Sequence, residues 1–217
     1  MVTWELAPQS DTRSASTSDR RFASRRRYTA SIMPVLISML RGINVGGHNK
    51  VNMTALRALF ESLKFEDPRT YVQSGNVIFR SKEKISPALA KKIQNAIEGE
   101  FGCRPEVILR TAEELRRVIA ASPFDSRRKL EPGKILVTFL DGEPGPEAHA
   151  VLLSLKSYPE ELHLKGRELY IYFPDGAGRS KLPWSSLGKH FKTVGTARNW
   201  NSVTRILAIA EELEAGK

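Results

Sequence analysis

The sequence predicts an α+β protein of two tandem ferredoxin-like (α/β-plait) domains with antiparallel sheets, preceded by a disordered N-terminal tail. Three observations predict it. Hydrophobic periods between Met33 and Thr111 run in the order β-α-β-β-α-β, the split βαβ pattern. The β-α-β-β-α order then repeats, and the composition changes abruptly before Met33.

The elements follow in order. Val35, Ile37 and Met39 alternate with Leu36, Ser38 and Leu40, so the first strand is apolar on both faces and belongs in the middle of its sheet. Asn52 caps a helix with Met53, Leu56, Leu59, Phe60 and Leu63 on one face. Arg69–Gln73 and Asn76–Arg80 read as a hairpin through Ser74 and Gly75, the glycine supplying any positive φ. Ser86-Pro87 opens a second helix, in which Leu89, Ile93 and Ile97 share a face and Gly102 is the stop. Pro105–Arg110 is the fourth strand. Right-handed crossovers put both helices on one face of the sheet, so the other face must be solvated, covered or used for binding.

Thr111-Ala-Glu-Glu114 is a capping box that opens a linking helix, and Pro123–Gly133 reads as a loop carrying Arg127, Arg128 and Lys129. Lys134–Leu140 is the next strand, and a helix carrying Ala150, Leu153 and Leu155 follows it. Leu162–Leu164 and Leu169–Phe173 form a hairpin about Lys165-Gly166-Arg167. Lys181–Phe191 reads as a helix, a weak closing strand is expected near Lys192–Val194, and the last helix runs from about Trp200. The resulting bounds are a tail of 1–32, a first domain of 33–111 and a second of 112–217.

The tail holds six Ser and six Arg against Glu5, Asp11 and Asp19, and has no helical or strand period. It is expected to be disordered or an over-extended translation start, with the ordered protein beginning near Met33. Over the 217 residues, 34 Lys and Arg face 24 Asp and Glu; the formal charge of +10 favours acidic or phosphorylated partners. No stretch approaches the ~18 apolar residues of a membrane span, and no apolar run marks a secretory signal. Cys103 stands alone, which excludes an internal disulfide or a cysteine cage. His48, His149, His163 and His190 lack metal-ligand spacing. The expectation is a cytoplasmic protein with no metal, no cofactor and no membrane partner.

The richest segment for chemistry is the loop after the first strand. Its three glycines let the backbone turn sharply and expose N–H groups, while Arg41, His48 and Lys50 add donors. It leads into a helix N-terminus, so it suits a phosphate or carboxylate cradle. It departs from a Walker A loop, because His48 stands where Lys is required and Asn49 where a magnesium-binding hydroxyl is required. A glycine-rich turn that merely connects two elements is the competing reading. Two further clusters are Gly178–Leu182, containing Lys181, and Gly195–Asn201. Asn199 or Asn201 suits the N-cap of the last helix and Trp200 its core anchor, whereas Arg198 beside helix N–H groups suits an oxyanion. Cys103 reads as a small buried hydrophobe, and no Gly-x-Ser-x-Gly elbow or convincing carboxylate pair occurs. The aromatic-glycine signature of the RNA-recognition module is absent as well.

Three runs, Leu40-Arg-Gly-Ile-Asn-Val-Gly-Gly47, Tyr71-Val-Gln-Ser-Gly-Asn-Val-Ile-Phe79 and Thr196-Ala-Arg-Asn-Trp-Asn-Ser-Val203, together resemble the bacterial domain of unknown function 1697 family. The resemblance covers about Met33 to the C-terminus. It implies two tandem α/β-plait domains and carries no established activity. The family's usual Thr-Thr-Arg-Asn-Trp-Asn-Thr reads Thr-Ala-Arg-Asn-Trp-Asn-Ser here, which keeps Arg198, Asn199 and Asn201.

The expected function is binding of a phosphate-bearing small ligand or nucleic acid through the basic, glycine-rich loop. The candidate ligand-binding residues are Arg41, Asn44, Gly46, Gly47, Asn49, Ser74, Asn76, Lys181, Arg198, Asn199 and Asn201. One alternative is a hydrolase or transferase acting on a phosphate or acyl-phosphate group, with Arg41 on the oxyanion and Asn76 or Asn44 positioning water; it rests on fold-level analogy with the plait acylphosphatases. The other is a homo-oligomeric interaction module, such as a homodimer through the open sheet faces or the last helix. No catalytic residue is assigned. The ligand readings require Arg41 and Arg198 to meet around one hollow.

Overall fold

Val35–Leu40 (β1) is buried along its whole length, as a strand with apolar side chains on both faces must be. The computed structural model describes residues 33–124 and 129–216. After β1 come α1 (Met53–Ser62), β2 (Glu66–Tyr71), β3 (Asn76–Arg80), α2 (Pro87–Phe101) and β4 (Val107–Thr111). The helix α3 (Ala112–Ala120) leads to β5 (Ile135–Leu140), α4 (Glu147–Ser154), β6 (Glu161–Lys165) and β7 (Glu168–Tyr172). The chain closes with α5 (Trp184–Phe191), β8 (Gly195–Asn199) and α6 (Trp200–Glu214). The tail of 1–32 and the basic pair Arg127 and Arg128 lie outside the described residues.

Two four-stranded antiparallel sheets result, ordered β2-β3-β1-β4 and β6-β7-β5-β8. Both have the strand order of a ferredoxin-like plait. The helix starts obey the local chemistry read from the sequence. Asn52 accepts from the N–H groups of Thr54 and Ala55, Ser86 accepts from Leu89, and Thr111 with Glu114 closes a full capping box. Gly102, at φ +67°, ends α2 in the left-handed conformation.

Three apolar clusters hold the layers together. Leu36, Leu40, Val77 and Phe79 pack under α1 and α2, and Leu140, Leu169 and Ile171 pack under α4 and α5. Between the sheets, Val35, Ile37, Met39 and Ile108 meet Ile135, Val137, Phe139 and Tyr170, with α3 and α6 completing the layer. The face that the sequence left open is therefore covered by the other half of the chain. The expected boundary at 111/112 falls where β4 runs directly into α3.

One strand lies elsewhere than expected. The closing strand is Gly195–Asn199 rather than 192–194. Its inward residues are Thr196 and Arg198 and its outward ones include Ala197, so it has no apolar alternation to read. Also, β2 begins at Glu66 with an irregular register up to Arg69, and α5 begins at Trp184 rather than Lys181.

Candidate functional site

Strand β8 pairs with β5 so that Arg198 sits opposite Val137, and its side chain enters the layer between the sheets. There the guanidinium reaches the first sheet. Nε donates to Asn76 Oδ1 at 2.6 Å, Nη2 donates to the carbonyls of Leu40 and Ser74 at 2.9 Å each, and Nη1 donates to Thr196 Oγ1 and the Ala197 carbonyl at 2.8 Å each. An arginine has five N–H donors, so all of them are spent on neutral acceptors of the chain itself. Burial, with no carboxylate beside it, pulls the Arg198 pKa down to about 10.

Arg110 does the same in the other direction. On β4 it lies opposite Ile37, is 1% exposed, and donates to Glu168 Oε1 at 3.0 Å and to the Leu140 carbonyl at 2.6 Å. Leu40 and Leu140 each end a central strand, and Asn76 and Glu168 each begin the strand beside it. Each sheet thus lends an arginine to the other, but only Arg110 finds a carboxylate.

These bonds anchor the hinge points of the Arg41 loop. Arg198 holds Leu40 O, and Leu40 N–H donates to Gly75 O at 2.9 Å. Asn44 and Asn49, both at positive φ, then fold the loop on itself. Asn44 Nδ2 donates to Val51 O and Gln73 O while its Oδ1 accepts from Val51 N–H; Asn49 Nδ2 donates to Gly42 O. The first-turn N–H groups of Thr54 and Ala55 are taken by Asn52. Gly46 and Gly47 stay exposed at the tip, each at positive φ. The two asparagine side chains are thus satisfied within the loop and its neighbours, whereas the cations Arg41 and Lys50 are left exposed.

Arg41 is exposed and makes no side-chain hydrogen bond or ion pair within the described chain. It lines a cleft of about 520 Å³ over the outer face of the second sheet. Lys189 and the half-exposed indole of Trp184, both on α5, line the same cleft, with Thr138 of β5 and the glycines Gly188 and Gly195. A Cβ on Gly195 would fall 2.9 Å from Leu140 Cδ2 and 3.0 Å from Thr138 Cγ2, so a larger residue there would press on both side chains. Among the described residues, the lining contains no carboxylate, imidazole or thiol.

Of the residues singled out in the sequence, Arg198, Asn76 and Ser74 come together, as do Arg41, Asn44, Asn49, Gly46 and Gly47 within their loop. Arg198 and Asn76 meet as a buried bridge, however, whereas Arg41 lines an exposed cleft that Arg198 does not reach, so the two guanidinium groups do not share the hollow expected from the sequence. Asn76 has 0% exposure and gives its Nδ2 donors to Tyr71 O and Ser74 Oγ. Asn199 caps α6 by accepting from Ser202 N–H at 2.8 Å, at the end of β8 away from Gly195, and Asn201 sits exposed in the next turn. Lys181 lies in a different cavity, with Tyr158, Glu160 and Arg179. Sequence reasoning missed Arg110, Glu168, Lys189 and Trp184. The one available signal was an arginine ending the apolar run Val107-Ile-Leu-Arg110.

The solved structure of a conserved bacterial protein from Streptococcus pneumoniae is similar to this chain, with a TM-score of 0.58 and 24% sequence identity over 82% of this chain and 99% of that one. That likeness concerns the fold. No curated protein matches the sequence. Residues 33–170 match the family model described as a protein of unknown function (DUF1697), and the chain belongs to that family.

Proposed function

We propose that this protein binds a small phosphate-bearing ligand in the cleft between Arg41 and α5. The observation that carries the reading is Arg41 itself, a guanidinium without an internal partner, held at the rim of a cleft that also receives Lys189. Two cations with no carboxylate among the described lining groups favour an anion, and a planar guanidinium suits phosphate oxygens. Trp184 and the side-chain-free walls at Gly188 and Gly195 offer a flat apolar surface to the rest of the ligand.

Binding is preferred to hydrolysis because no described residue of the lining supplies a carboxylate, imidazole or thiol to activate water. A small ligand is preferred to nucleic acid because many described cations are matched locally. Arg104 pairs with Glu98, Lys92 with Glu83, Arg167 with Glu114, and Arg116 with Glu113, Glu211 and Glu214.

The test is titration of the protein with a series of mononucleotides and sugar phosphates, followed by tryptophan fluorescence and calorimetry. Saturable binding is expected, weakened at least about tenfold by Arg41→Ala, the loss of roughly one charge-assisted contact. Binding that survives Arg41→Ala and Lys189→Ala unchanged overturns this assignment.

A further inference from the structure

A second cavity stands on different residues and does not depend on the Arg41 cleft. Glu160, at the start of the β6–β7 hairpin region, is 8% exposed, and its Oε2 is buried with no hydrogen-bond partner. A buried carboxylate oxygen without a donor in the chain is costly, so it calls for a donor from an ordered water or a ligand. Glu160 lines a cavity of about 320 Å³, as well as a neighbouring one of about 650 Å³, and the other polar residues of the smaller cavity are Ser157, Tyr158, Asp175, Arg179 and Lys181. Arg179 and Lys181 are exposed on its rim and make no ion pair within the described chain, with Glu160 or with any other carboxylate. The cavity thus holds two acids, Glu160 buried and Asp175 exposed, and two exposed cations, with no ion pair among them.

That separation defines the ligand chemistry. Two charges of opposite sign that share a small cavity without touching leave room for a molecule that bridges them, with a donor for the acid and an acceptor for the cations. A metal ion would need more acid ligands, and among the described residues no three His, Cys, Asp or Glu side chains are grouped to hold one. We propose that this cavity binds a small zwitterion of the α-amino-acid type, its ammonium donating to Glu160 and flanked by Asp175, its carboxylate held by Arg179 and Lys181. The volume lies at the lower end for ligand cavities, which suits a molecule of that size.

The test uses the full chain and the twenty free α-amino acids, each paired with its N-acetyl and its C-terminal amide derivative, read by calorimetry and by thermal shift. At least one free amino acid is expected to bind saturably, and acetylation or amidation is expected to weaken that binding at least tenfold. Glu160→Gln is expected to abolish the binding while raising the melting temperature of the unliganded protein, because a neutral amide is less costly to bury than a carboxylate. Should that variant fail to fold, Arg179→Ala and Lys181→Ala, on the exposed rim, are each expected to lower affinity at least fivefold. Arg41→Ala, in the other cleft, is expected to leave amino-acid affinity unchanged. Absence of saturable binding by all twenty, binding indifferent to acetylation, or binding undiminished in the folded Glu160, Arg179 and Lys181 variants overturns the proposal. None of these results bears on phosphate binding at Arg41.

Discussion

Arg110 and Arg198 occupy matching places in the two sheets, opposite Ile37 and Val137, and each guanidinium crosses to the terminal carbonyl of the other sheet's central strand. Their surroundings differ at one point. Glu168 neutralises Arg110, whereas Asn76 offers Arg198 only an amide oxygen.

Truncating the two arginines should therefore have unequal consequences. Arg110→Met strands the Glu168 carboxylate and is expected to cost about 3–5 kcal/mol, most of it recovered by adding Glu168→Leu. Arg198→Met strands no charge and frees only neutral acceptors, so a loss of about 1–3 kcal/mol is expected. Urea unfolding of the four proteins measures both. Equal losses, or no recovery in the double variant, would show that the carboxylate is not what separates the two sites.

Gly75 is fixed by both its backbone and its neighbours. It sits at φ +71°, and an added Cβ would fall 2.6 Å from Ile43 Cδ1 and 2.8 Å from Leu40 Cβ. Gly75→Ala is expected to lose about 2–4 kcal/mol, combining backbone strain with an overpacked contact. Gly178→Ala, whose Cβ would meet nothing within 4 Å, is the neutral control. Chemical denaturation of both variants decides it.

The Tyr170 phenol is buried and donates to the Val118 carbonyl at 2.8 Å. Burial raises its pKa above the ordinary value of 10.0. The folded chain thus keeps a proton that the unfolded chain releases, so this tyrosine's contribution is complete below about pH 10 and declines as the pH rises further. At about pH 8 the protein is expected to exceed its Tyr170→Phe variant by about 1 kcal/mol. At about pH 11 that advantage should shrink or reverse. An advantage equal at both pH values would mean the phenol ionises freely in the fold.

Cys103 follows α2 and packs against the Phe79 cluster. Burial pushes its thiol upward, more strongly than its backbone hydrogen bond pulls it down. Iodoacetamide at about pH 7.5 should alkylate the native thiol several-fold more slowly than the urea-unfolded one, since only thiolate reacts. Faster labelling of the native protein would mark a reactive cysteine instead.

Much of the fold was legible because local chemistry and periodicity agreed. Asn52, Ser86, Gly102 and Thr111 mark helix ends through their own side chains or backbone freedom, and they do so within a few residues of sequence. β8 was misplaced for the opposite reason. Its buried positions are Thr196 and Arg198, whose burial depends on Asn76, Leu40 and Ser74 more than a hundred residues away. The candidate site divides along the same line. The turn chemistry of the Arg41 loop is local, but the element that shares the cleft with its free guanidinium is α5, and no spacing rule links residue 41 to Trp184 or Lys189.

The paired arginines have a further consequence for assembly, since β4 and β8 are both edge strands of their sheets. An edge strand is an invitation to foreign backbone, and a cation pointing inward from it is a known deterrent. Any strand from another molecule that displaced β8 would have to deliver a guanidinium to Leu40, Ser74 and Asn76, or leave those acceptors dry. Each edge is in this way keyed to its own polypeptide, which discourages strand exchange and fibre growth from those two borders.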